Sequence, residues 1–113
     1  MRGSVPPGLP GPDITVTPQA AQEIKKLIQE EQRQDRTPQP RYLRLRIEGN
    51  LEDGFQNHLE LDVTVRADDL RVETRDIVLV LDRRTAILGM GATIDYVDTV
   101  GRKGLTVRNP NAK

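Results

Sequence analysis

Two alternating stretches joined by a short acidic loop constrain this chain more than any other feature. In Arg41-Tyr42-Leu43-Arg44-Leu45-Arg46-Ile47, residues Leu43, Leu45 and Ile47 share one face, and Tyr42, Arg44, Arg46 and Glu48 share the other. From Phe55 to Val63, residues Phe55, Asn57, Leu59, Leu61 and Val63 point inward, and Gln56, His58, Glu60 and Asp62 point outward. A period of two is the signature of half-buried strands. Their closeness in sequence predicts an antiparallel pair. Arg44 and Arg46 are then expected to face Glu60 or Asp62 across the ladder. The connection, Gly49-Asn50-Leu51-Glu52-Asp53-Gly54, has glycine at each end, is acidic and contains no cysteine.

The rest of the chain supplies what this hairpin packs against. Residues 1–13 hold Pro6, Pro7, Pro10 and Pro12 among Gly3, Gly8 and Gly11, which predicts a disordered lead, with one domain over residues 14–113. Ile14-Thr15-Val16 reads as a short strand. Thr17 then caps a helix that carries Pro18 at its first position. Ala21, Ile24, Leu27 and Ile28 form the apolar stripe of that helix, which is expected to end near Gln32. Leu70 and Val72 begin a shorter strand after the Ala67-Asp68-Asp69 turn. Asp76 marks the next turn, and Ile77-Val78-Leu79-Val80-Leu81 reads as a strand buried on both faces. Asp82 caps a short helix through Leu88, with Ala86 and Ile87 inward and Gly89-Met90-Gly91 as its stop. Ala92 to Asp98 and Leu105 to Arg108 are strands around a Gly101–Gly104 turn. The element order predicts an α+β domain of mixed and antiparallel sheet, with one N-terminal amphipathic helix and one short helix.

Composition narrows the function. The 113 residues carry 17 basic and 17 acidic side chains, so no positive field favours nucleic acid. No run of apolar residues is long enough to span a membrane, and the opening residues lack the apolar region of a signal peptide. A cytoplasmic location is the resulting expectation. The only serine is Ser4 and there is no cysteine, so the single histidine, His58, has no nucleophile to activate and no enzyme chemistry is expected. Gly89-Met90-Gly91 lacks the remaining residues of a phosphate-binding loop. Glu52, Asp53 and His58, with Glu60 and Asp62, are the candidate ligands for a divalent metal. The alternative is a solvated, charged sheet face. Arg83-Arg84 sits in the first turn of the short helix, where basic charge opposes the helix dipole, a misfit that points to a contact elsewhere.

Several segments resemble the A-type iron–sulfur carrier family, the HesB/IscA-like proteins. These are Ile14-Thr15-Val16-Thr17-Pro18-Gln19-Ala20-Ala21, Leu45-Arg46-Ile47-Glu48-Gly49, Gly54-Phe55-Gln56, and His58-Leu59-Glu60-Leu61. The strongest are Gly91-Ala92-Thr93-Ile94-Asp95-Tyr96-Val97-Asp98 and Lys103-Gly104-Leu105-Thr106-Val107-Arg108-Asn109-Pro110-Asn111-Ala112. The resemblance implies a HesB-like compact domain that associates into homo-oligomers and works with iron–sulfur assembly proteins. It also locates a departure. The family's loop pattern is Gly-Cys-Ser-Gly-Phe. Here Gly54-Phe55 fit, but Glu52 stands at the cysteine position and Asp53 at the serine. The family's other two cysteines lie in a Cys-Gly-Cys tail beyond Asn-Pro-Asn-Ala, and the sequence stops at Lys113 before it. Loss of a tail does not account for the altered loop, so a degenerate member is expected. Residues 49–54 are then a former ligand loop. Clusters are held by soft thiolates, so no cofactor is expected. An accessory or regulatory role in cluster assembly follows. The alternatives are a metal-binding module using Glu52 and His58, and an interaction domain unrelated to clusters.

Overall fold

The computed structural model describes residues 12–110, and most of the lead expected over residues 1–13 lies outside that range. The elements are β1 (Ile14–Val16), α1 (Pro18–Arg33), β2 (Tyr42–Asn50), β3 (Gly54–Asp62), β4 (Leu70–Thr74), β5 (Ile77–Leu81), α2 (Arg83–Leu88), β6 (Ala92–Thr99) and β7 (Arg102–Arg108). They form a four-stranded sheet in the order β3-β2-β5-β4 and a three-stranded sheet in the order β1-β6-β7. The expected β2–β3 pair is antiparallel, with Leu45 opposite Leu59 and Arg46 opposite His58. Strand β5 runs parallel to β2 and antiparallel to β4, so its apolar sequence is central to the sheet.

The core gathers Ile14, Val16, Ala20, Ala21, Ile24, Leu43, Leu45, Ile47, Ile77, Leu79, Leu81 and Ile94. With so few aromatics, burial of aliphatic side chains carries the fold, each large one contributing roughly 1.5–3 kcal/mol. Helix α1 inserts Ala20, Ala21 and Ile24, whereas Leu27 stays exposed. Its start links two of the sequence segments noted above. Thr17 Oγ1 accepts from Ala20 N at 3.2 Å, capping α1, and donates to Asp95 Oδ1 on β6 at 2.8 Å. That donation holds the Asp95 carboxyl below the usual carboxylate range.

Four local expectations are corrected. Arg44 meets Asp62 as expected, but it is buried, where the alternation placed it on the polar face of the strand. It donates to Asp62 Oδ2 at 2.8 Å, to both oxygens of Asp69 at 3.1 and 2.8 Å, and to the Thr64 carbonyl at 3.1 Å. Strand β2 has neighbours on both sides at Arg44, and the β3–β4 connection folds back over it, so alternation did not mean exposure there. Val63 lies past the end of β3 and is exposed. Ile87 points outward; buried Thr85 takes the inward position instead. The β6–β7 connection is tighter than expected: Thr99 pairs with Arg102, leaving only Val100-Gly101 as the turn, with Gly101 at φ +87.

Candidate functional site: the β2–β3 loop and its supports

The loop tip is tied together by its own side chains. Asn50 pairs with Gly54, so Leu51, Glu52 and Asp53 alone make the turn. Asn50 Oδ1 accepts from Asp53 N at 2.7 Å, and its Nδ2 donates to Asp53 Oδ2 at 3.2 Å. Such local side-chain bonds are how asparagine and aspartate fix turns. Gly54 has φ +85 and Gly49 has φ +120, conformations that L side chains rarely adopt. A Cβ on Gly49 would also collide with the Gly54 carbonyl.

Helix α2 supports the loop from beside it. Only Leu43 and Arg44 of β2 pair with β5, so the far half of that edge has no strand partner. Thr85 serves it instead: its Oγ1 accepts from Ile47 N at 3.1 Å in a buried setting. Asp82 caps α2 by accepting from Thr85 N at 2.7 Å, which sets Thr85 in place. Arg84 Nη2 donates to the Gly49 carbonyl at 3.0 Å. This contact accounts for the Arg84 half of the basic pair that opposes the helix dipole. The dipole misfit was a usable signal for it; nothing in the sequence pointed to Thr85.

The candidate ligands divide between two places. Glu52 and Asp53 sit exposed at the tip. His58 lies four positions along β3 from Gly54, roughly 13 Å at strand rise. Its acidic neighbour is Glu48: His58 Nε2 lies 3.3 Å from Glu48 Oε1, without hydrogen-bond geometry, while Glu48 Oε2 lies 3.2 Å from Arg46 Nε. Asp62 is committed to Arg44. Among the described residues, no three His, Asp or Glu side chains group in a way that can hold a metal ion. The donor set at the tip is hard oxygen, a poor match to iron–sulfur clusters, which take soft thiolate ligands.

A strand–helix start, a central hairpin with a raised loop, and a closing β6–β7 hairpin on α+β layers define an A-type, HesB/IscA-like carrier architecture. The chain belongs to the iron-sulphur cluster biosynthesis family, whose model matches residues 12–113. It is 38% identical over 100 residues to the iron-sulfur cluster insertion protein ErpA of Stenotrophomonas maltophilia strain K279a, covering 88% of this chain and 73% of that protein. It is 34% identical over 117 residues to ErpA of Xanthomonas axonopodis pv. citri strain 306, covering 97% of this chain and 88% of that protein. In fold it matches the crystal structure of Escherichia coli SufA, involved in biosynthesis of iron–sulfur clusters, with a TM-score of 0.72 at 22% identity over 98% of this chain and all (100%) of that one. A solution structure of an Aquifex aeolicus protein matches with a TM-score of 0.62 at 33% identity, covering 94% of this chain and 100% of that one. Within this family, the present sequence contains no cysteine.

Proposed function

We propose that this protein serves iron–sulfur cluster assembly in a non-enzymatic, accessory or regulatory role, and does not carry a cluster on thiolates. The observation that supports this best is Glu52. It stands where the family pattern puts its loop cysteine, on a tip that Asn50 and Asp53 lock and that Arg84 braces. A locked, carboxylate-bearing loop suits contact with a protein better than exchange of a soft-ligand cargo. The partners in this reading are iron–sulfur assembly proteins, and the setting is the cytoplasm; no helix among the described residues is long and apolar enough to cross a membrane.

Anaerobic reconstitution with iron and sulfide tests the reading. The expected product shows no charge-transfer absorbance and retains no stoichiometric iron or sulfide after desalting. Stoichiometric retention of both overturns it. Pull-down against purified cysteine-bearing relatives separates a role in assembly from an unrelated one: binding to none of them counts against the assembly role.

A second reading, binding of a divalent ion at His58 on β3 or at the Glu52–Asp53 tip, has one observation in its favour. The His58 Nε2 atom has no hydrogen-bond partner in the described structure and lies beside the Glu48 carboxylate.

A further inference from the structure

Two strands end their sheets with one edge unpaired, and both edges face the same cleft. β3 is the outermost strand of the four-stranded sheet and β7 of the three-stranded one. One part of the cleft is lined by Asn57 and Leu59 from β3 and by Arg102, Leu105, Thr106 and Val107 from β7. It continues past Leu59 and Leu105 to Glu60 and Leu61, and to Leu27 and Glu31 on α1. Successive residues of a strand point to opposite faces, yet Leu59, Glu60 and Leu61 all line the cleft, as do Leu105, Thr106 and Val107. The cleft therefore runs along the backbone edges of both strands.

The apolar layer is unfinished there. On the inner strand β2, Leu43 and Leu45 are enclosed, whereas Leu59, Leu61, Leu105 and Val107 pack against the core and stay half-buried. Asn57 Oδ1 lies buried without a hydrogen-bond partner among the described residues, which native folds rarely leave. An unpaired edge is a template for another chain, and proteins blunt it by shortening the strand or by a proline or bulge. The outer strands β1 and β4 are short, three and five residues. β3 runs nine residues in unbroken register with β2, without proline or bulge.

We propose that this cleft receives an extended segment of another protein, which adds to the free edge of β3 as a further strand. In such pairing, main-chain hydrogen bonds hold the segment and its alternate side chains select it. Apolar side chains at alternate positions fill the space between Leu27, Leu59 and Leu105. Charge sets the flanks. Glu60 is exposed and has no ion-pair partner among the described residues, while Glu31 beside it already holds Arg41. Arg102 is exposed at the other part of the cleft. The segment therefore carries a lysine or arginine toward Glu60 and a carboxylate toward Arg102. The chain's own first residues suit the edge poorly, because Pro6, Pro7, Pro10 and Pro12 have no N–H to give a ladder. β3 of a second copy suits it poorly too, since it sets one acidic strand against another. The proposal does not rest on the role in cluster assembly.

Two blocked peptides test it: acetyl-Lys-Val-Thr-Val-Thr-Val-Glu-amide and the same residues in reverse order, which cover both strand directions. Amide hydrogen exchange of the full chain is followed as each is titrated to about 1 mM, the weak end of specific recognition. One of the two is expected to slow exchange about tenfold at alternate β3 amides between Asn57 and Leu61, because only the N–H groups on the free edge gain a partner, and to leave β4 unchanged. Glu60→Lys is expected to weaken that peptide by about fivefold or more. A peptide with glutamate in place of its lysine is expected to recover binding to Glu60→Lys, which a misfolded variant does not allow. Failure of both peptides, slowing confined to another strand, or binding indifferent to Glu60→Lys overturns the proposal. So does slowing of the same β3 amides when the protein alone is concentrated, which assigns the edge to a second copy. Cluster reconstitution reads none of these outcomes, so the two proposals fail separately.

Discussion

Arg44 and Asp69 form an ion pair inside the fold, Nη2 to Oδ2 at 2.8 Å, with side chains only 5% and 1% exposed. It ties the turn before β4 to the first third of β2, and Asp62 completes the cluster from β3. Removing one partner of a buried pair strands the other charge. Asp69→Ala is expected to destabilise by about 3 kcal/mol, at the low end of such losses because Asp62 still holds Arg44. Urea unfolding measures it.

The same cluster sets an acid limit. Hydrogen bonding from Arg44 holds both Asp69 and Asp62 below the usual carboxylate range. A carboxyl depressed in the folded state adds stability above its unfolded pKa, about 3.9, and loses it as pH falls toward the folded value. Stability is therefore expected to show no loss from this cluster between about pH 5 and 8 and to fall below about pH 4. In Asp69→Ala the fall is expected to be shallower. An unchanged acid slope in thermal melts of that variant removes the cluster as its cause.

Thr85 completes β2 where β5 does not reach. Thr85→Val keeps the shape but leaves Ile47 N without its acceptor, and is expected to cost about 1–3 kcal/mol. Thr85→Ser keeps the hydroxyl and is expected to cost less. Amide hydrogen exchange at Ile47 is expected to accelerate in the valine variant and hardly at all in the serine variant.

Gly49 is required by two conditions at once, its positive φ and the nearness of the Gly54 carbonyl. Gly49→Ala is expected to destabilise by about 2 kcal/mol or more and to speed exchange at Asp53 N. Gly101 also has positive φ but open space around it, so Gly101→Ala is expected to carry only the conformational cost, about 1 kcal/mol. Equal effects at the two sites would show that crowding at Gly49 contributes nothing.

Metal binding is checked by calorimetric titration of Fe2+ and Zn2+ into wild type, Glu52→Ala and His58→Ala. If the metal-binding reading holds, at least one of the two variants binds more weakly than wild type. Identical binding, or none in wild type, eliminates it.

Periodicity and punctuation alone determined most of the architecture. Alternation over residues 41–63 located the hairpin, and the uninterrupted Ile77–Leu81 run marked a strand buried on both faces, with Leu79 and Leu81 on one and Val80 on the other. Thr17-Pro18 and Asp82 marked the two helix starts, because capping is chemistry local to a few residues. The absence of cysteine and the placement of Glu52 were likewise legible in the sequence, and they carry the functional reading. Only the tertiary structure decided which polar side chains are buried. Arg44 and Arg46 look alike in the sequence, yet Arg44 is enclosed by the β3–β4 connection and Arg46 is exposed. It also decided that Thr85 faces inward and Ile87 outward, and that Arg84 holds the loop. The partners in these contacts stand 18 to 38 residues apart in the chain. No local pattern encodes such contacts. They arise when the β3–β4 connection folds over β2 and α2 packs along its open edge.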